Sequence, residues 1–250
     1  MNKRNPVHPG LFASVWLLFS LMFGAVVLST ALADTIGVIG TGRVGGALGP
    51  RFADLGYTVV YGSRDPRSDK VQQLVARSGD RASAASQREA AQQADIILLA
   101  VPWRAAEQVV KSLGDLDGKI IMDAVNPLQR ADDGLLEMGV DTSAGQLVQS
   151  WAPGVRVVKT FNNINFMVMA DPSVAGGPVT VPLAGDDAEA KSLVRQIVEA
   201  LGFETVDVGP LRMSRELEGM VVLKLVPMFQ GRIQDSWEYY FRPYPERGVN

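Results

Sequence analysis

The feature that most restricts this chain is a glycine turn set between a short apolar run and an amphipathic one. Residues 35–40 (TIGVIG) are brief, apolar and end on glycine, which reads as a buried strand. From Arg43 on, Val44, Leu48, Phe52 and Leu55 recur at spacings of four, four and three, which gives a helix over 43–56 one apolar face. Between them lies Gly40-Thr41-Gly42-Arg43-Val44-Gly45, the pattern G-x-G-x-x-G. Each glycine answers a separate demand: Gly40 a tight turn, Gly42 the approach of a pyrophosphate to bare backbone, Gly45 close contact of helix and strand. The free N–H groups and positive dipole end of the helix then face the phosphates. Such a strand, turn and helix predict a dinucleotide site.

The rest of the chain repeats the alternation. Strands are predicted at 57–61, 95–101, 119–123, 155–158, 179–184 and 203–208, and helices at 67–77, 87–94, 103–113, 145–150, 188–201 and 213–230. Residues 62–66 read as a turn and 126–128 as the start of a loop. Pro182 predicts an edge position or a bulge for its strand, and Pro227 a kink or end for the last helix. Trp237, Tyr239, Tyr240 and Phe241 crowd the tail, which is expected to pack on the domain or on a partner. The alternation predicts an α/β fold, a doubly wound parallel sheet of the Rossmann type. It forms a single domain over 34–250 with a small C-terminal helical and aromatic extension.

Residues 1–33 read differently. Lys3 and Arg4 precede an apolar stretch over 11–28, and Ala31-Leu32-Ala33 forms a small-residue cleavage site. That is the layout of a signal peptide, which predicts an exported, periplasmic protein. Two alternatives stand beside it: an uncleaved membrane anchor, or a start at Met22 and a cytoplasmic protein. Cleavage is favoured because the first strand begins at Thr35, leaving an anchor almost no linker.

Residues 34–250 hold 22 Lys and Arg against 27 Asp and Glu, with no basic run, which argues against nucleic acid. The chain has no cysteine, and its one histidine is His8. The body therefore has no means to build a Ser-His-Asp or Cys-His nucleophile system or a His/Cys zinc site. No catalytic acid, base or metal ligand is assigned.

The end of the second strand sets the cofactor. An NAD site usually places Asp or Glu there for the ribose 2′-hydroxyl. This chain has Ser63-Arg64, a hydroxyl and a guanidinium that suit a 2′-phosphate and so predict NADP. Arg43 adds charge. Ala100, Val101 and Pro102 close the central strand at its carboxyl edge and are expected to line the nucleotide wall. Trp103 either caps that pocket or packs.

Five segments occur in order: 40–45, then Tyr61-Gly62-Ser63-Arg64, Leu99-Ala100-Val101-Pro102, Asn126-Pro127-Leu128, and Val158-Lys159-Thr160-Phe161-Asn162. Over about 35–225 this set resembles the coenzyme F420-dependent NADP oxidoreductases and the NADPH-binding domain of the STEAP metalloreductases. The Rossmann half is shared with pyrroline-5-carboxylate reductase. The resemblance implies NADP(H) as cofactor and hydride transfer to a flavin- or deazaflavin-type acceptor. It implies that Asn126 binds the cofactor and that Phe161 and Asn162, near the nicotinamide, position the carboxamide or the acceptor ring, core packing being the other reading of Phe161. It also makes a homodimer an option. Two other functions stay open. One is a hydroxyacid dehydrogenase or imine reductase, in which Lys224 would be catalytic. The match is poor, since Met228 stands where that motif has Asn, and Lys224 reads as a surface residue. The other is an exported NADP-binding module without catalysis.

Overall fold

The computed structural model describes residues 34–232 and 237–241. The signal, anchor and alternative-start readings of residues 1–33 lie outside the described residues.

Eight strands form one sheet. They are β1 (Thr35–Ile39), β2 (Thr58–Ser63), β3 (Ala82–Ser86), β4 (Ile96–Leu99), β5 (Ile120–Asp123), β8 (Arg156–Lys159), β9 (Thr180–Gly185) and β10 (Glu204–Gly209). The order is β10-β9-β8-β5-β4-β1-β2-β3. Every pairing is parallel except β8 with β9, so β9 and β10 run against the rest. From β1 the chain winds outward to β2 and β3, then crosses back to β4 and winds the other way. That reversal opens a crevice at the carboxyl ends of β1 and β4, where such sheets take ligands. β4 (IILL) is buried along its whole length, and β1 from its second residue, as expected of strands covered on both faces.

The helices divide between two cores. One face carries α1 (Arg43–Asp54), α2 (Asp69–Arg77) and α7 (Ala188–Ala200), with Phe161 and Phe203 in the same cluster. The other carries α3 (Gln87–Gln93), α4 (Trp103–Ser112) and α5 (Ala144–Trp151). The short α6 (Phe166–Ala170) packs on α1, and α8 (Ser214–Phe229) closes the C-terminal side. α1 contains Pro50, which has no N–H to give the Gly46 carbonyl. Arg77 Nη2 donates to that carbonyl instead, at 3.4 Å.

Several expectations change. The predicted turn at 62–66 begins later, because β2 runs on through Ser63. β3 (ASAAS) was not predicted. The loop expected from Asn126 is a hairpin of β6 (Leu128–Arg130) and β7 (Leu136–Met138). Pro182 does not mark an edge: β9 lies between β8 and β10 and is buried along its length. β8 pairs only with Ala184 and Gly185, so no ladder bond to β8 is lost at Pro182. Pro227 sits in the last turn of α8, which continues to Phe229. The aromatic tail packs on the domain: Tyr239 Oη donates to the Met220 carbonyl at 2.8 Å, and its ring lies between Trp237 and Phe241.

Candidate functional site

The glycine turn is built as its spacing demands, and its glycines differ in kind. Gly40 has φ of 117°, and a Cβ there would run into the Ala100 carbonyl. A Cβ on Gly45 would strike the Gly40 carbonyl oxygen. Both are needed for the chain to close on itself. Gly42 is the exception, because nothing in the protein lies within 4 Å of a Cβ there. Its backbone is left open to an approaching group from outside the described residues. α1 starts at this residue, with no side-chain cap and no acid in its first turn. Its first N–H groups are left for an anion.

A cleft of about 670 Å³ opens beside the turn. Among the expected residues, Gly40, Thr41, Gly42, Ser63, Arg64, Ala100, Val101 and Pro102 line it together. Arg43 lines a neighbouring groove on the other side of Gly42, and Val44 packs against the core. The sequence reading missed Lys70, Gln87, Arg104 and Gln108, which also line the cleft. Their signal was weak: polar helix residues, three of them near a helix start, brought to the cleft only once the sheet is assembled. The one carboxylate directly after β2 is turned away, since Asp65 Oδ1 accepts the Arg67 N–H at 3.2 Å. Ser63 Oγ accepts the Asp65 N–H at 3.2 Å. Arg64 is exposed and forms no ion pair among the described residues. Trp103 packs, stacked on Trp151 at 5.5 Å between centroids, and does not line the cleft.

Asn126 and Asn162, also expected at the site, do not line the cleft and instead form an asparagine lock. Asn126 Nδ2 donates to the Asn162 carbonyl at 2.8 Å, and Asn162 Nδ2 donates to Asn126 Oδ1 at 3.0 Å. Asn162 Nδ2 also donates to the Leu217 carbonyl at 2.9 Å. Asn162 Oδ1 is buried with no hydrogen-bond partner among the described residues. Phe161 departs from the role implied for it. Its side chain is fully buried, edge-on to Phe203 at 6.1 Å in the core, so it presents no ring to a ligand. Its φ of 58° is left-handed, which costs a non-glycine residue about 1–2 kcal/mol. That turn sends Phe161 into the core and leaves Asn162 facing Asn126.

Beneath the lock lies a buried charge cluster that the sequence reading did not assign. Lys159 Nζ lies 2.9 Å from Asp123 Oδ2, 2.6 Å from Glu218 Oε1 and 2.6 Å from the Val125 carbonyl. All three ionic side chains are fully buried. Asp123 Oδ1 accepts the Val125 N–H, and Glu218 accepts the Ala144 and Gly145 N–H groups at the start of α5. Burial alone would lower the Lys159 pKa, but the two carboxylates outweigh it and hold the pKa above the ordinary value. Burial pushes the Glu218 carboxyl up against the pull of Lys159. The cluster pins the segments that carry Asn126 and Asn162.

Lys224 is also corrected. It is 4% exposed, not a surface residue. Its Nζ lies 2.6 Å from Glu238 Oε2 in the tail and 2.9 Å from the Asn163 carbonyl. Glu238 Oε1 accepts the Asn165 N–H at 3.0 Å. Lys224 is committed to latching the tail onto the 161–165 segment, which removes the basis for a catalytic lysine.

Residues 35–127 match the family described as NADP oxidoreductase, coenzyme F420-dependent. Metalloreductase STEAP3 of Rattus norvegicus is 31% identical over 200 residues, which are 79% of this chain and 38% of that protein. This chain thus spans well under half the length of that relative. The F420-dependent NADP reductase of Methanothermobacter marburgensis is 28% identical over 211 residues, 79% of this chain and 93% of that one. A solved structure from Arthrobacter sp. FB24, proposed to be an F420-dependent NADP reductase, superimposes with a TM-score of 0.75 at 27% identity, over 84% of this chain and 99% of that one. The glycine turn and these relatives lead to one conclusion: the chain is similar to the coenzyme F420-dependent NADP oxidoreductases, over residues 35–127 by the family match and over about four fifths of its length by the M. marburgensis relative.

Proposed function

We propose that this protein passes a hydride between NADPH and a flavin- or deazaflavin-type ring, acting after export. The observation that carries the nucleotide half is the uncapped start of α1 under a bare Gly42, beside Ser63 and Arg64 with no carboxylate aimed at them. When bound, the dinucleotide supplies the hydride, two electrons with the hydrogen, and the ring acceptor takes it with a proton from water. The chain's own task is alignment, because transfer between two rings needs no protein acid or base. Backbone N–H groups of α1 hold the pyrophosphate. Arg64 and Ser63 bind the 2′-phosphate. Asn162, its amide nitrogen already spent on Asn126 and Leu217, has a free Oδ1 to accept from a carboxamide N–H. The acceptor class is supported by the M. marburgensis relative, named for F420.

The test uses the full chain. NADPH and NADH are titrated by fluorescence, and loss of NADPH absorbance is then followed with FMN, F420 and a ferric chelate. Tight NADPH binding and turnover with a ring acceptor are expected. Failure to bind NADPH would overturn the reading, and binding without turnover on any acceptor would favour a non-catalytic module.

A further inference from the structure

The groove on the far side of Gly42 carries two guanidinium groups, Arg43 and Arg77, that do not line the nucleotide cleft. It encloses about 540 Å³ between α1, α2 and α6, a volume suited to a small ligand. Arg43, Lys70 and Arg77 line it over an apolar floor that includes Leu74, Phe166 and Ala170, and no acidic residue takes part. None of the three cations forms an ion pair among the described residues. The Arg43 guanidinium lies over the Phe166 ring, 5.2 Å from its centroid, at the groove wall. Arg77 spends one N–H on the long bond to Gly46 and keeps the others.

The charges are divided in space. Arg64 lines the nucleotide cleft and not the groove; Arg43 and Arg77 line the groove and not the cleft. Thr41, Gly42 and Lys70 belong to both, so the groove opens directly onto the pyrophosphate turn. Its wall is α6, which begins three residues after Asn163 and is capped by Asn165. The segment that carries Asn162, with its unpartnered Oδ1, thus runs along the chain directly into the groove wall.

From this geometry we infer a second anion site. The groove between α1, α2 and α6 takes the phosphate of a phosphate-bearing ring acceptor, with the apolar floor under its chain. Resting on the reading of the protein as a hydride-transferring reductase, this adds that the acceptor is selected by its phosphate as well as its ring. Two guanidinium groups and an ammonium with no competing carboxylate favour a phosphate dianion over an uncharged chain.

The test compares FMN with riboflavin, which differ only in that phosphate. Binding to the full chain is read by flavin fluorescence without NADPH, so the result is independent of turnover. FMN is expected to bind about tenfold more tightly than riboflavin, the size of one charge-assisted contact. Arg77→Gln should remove most of that preference while leaving riboflavin and NADPH affinity within about twofold, and Arg77→Lys should restore much of it. Equal affinity of the wild-type protein for FMN and riboflavin would overturn the inference. So would a loss of NADPH affinity in Arg77→Gln as large as the loss for FMN, because the groove would then belong to the nucleotide. An unchanged melting temperature shows that Arg77→Gln folds, and the wild-type comparison stands without it. FMN preference in a protein that turns over no acceptor would keep this site and sink the reductase reading; turnover without phosphate preference would do the reverse.

Discussion

Single residues in this site separate cleanly into those the fold needs and those only a ligand needs. Gly42→Ala introduces a methyl group that meets nothing in the protein. It should leave the melting temperature within about 2 °C and weaken NADPH at least tenfold, because the methyl occupies the pyrophosphate's approach. Gly45→Ala, by contrast, drives a carbon into the Gly40 carbonyl and should destabilise the fold itself. Thermal melts and nucleotide titrations on the pair check both. Arg64→Ala should cost NADPH about 1.5–3 kcal/mol, roughly 10- to 100-fold, and leave NADH within about twofold; equal losses would contradict its role. These positions were legible in sequence because each meets a local demand. Phe161 was not. Its left-handed backbone and its burial against Phe203 depend on a neighbour 42 residues away.

Among elements, the joint of β5, β8, α5 and α8 is the decisive one. Lys159 binds the strand ends together through Asp123 and reaches α8 through Glu218, whose carboxylate also caps α5. Lys159→Met leaves two buried carboxylates without a cation. It should lower stability by about 3–5 kcal/mol in urea unfolding, and a loss below about 1 kcal/mol would show that the cluster carries no ionic load. Sequence alone could not place this joint, since Lys159 ends an apolar strand and Glu218 is 59 residues further on. β3 was missed for another reason. Small residues such as ASAAS carry little strand propensity, and parallel pairing with β2 alone decides their conformation. β1, α1, β4 and α4 were read correctly because burial periodicity is strong there.

For the whole molecule, pH dependence follows from Lys159 and Tyr61. Both have folded pKa values above their ordinary 10.5 and 10.0: Lys159 because its carboxylates outweigh burial, Tyr61 because of burial. Tyr57 and Tyr239 are raised in the same way, whereas burial lowers the Lys224 pKa and opposes them; with four groups holding their protons longer in the native state than in the unfolded one, against Lys224, stability falls as pH rises. Urea midpoints should therefore hold level from pH 7 to about 9 and fall beyond about 10; a midpoint that rises there would reverse the sign. The proposed export has its own check, because N-terminal sequencing of the secreted protein should begin at Asp34, whereas an intact Met1 in the cytosol would overturn it. The latch between Lys224 and Glu238 bears on how such a chain is made. Until the ribosome has delivered Glu238, Lys224 has no counter-charge, and the 161–165 segment lacks the bond that holds Asn165. A chain stalled before that point would hold the Lys224 ammonium against the Asn163 carbonyl alone, without its carboxylate. A fold that completes late would also suit the proposed export, which asks a chain to stay loose enough to be threaded through a translocation pore.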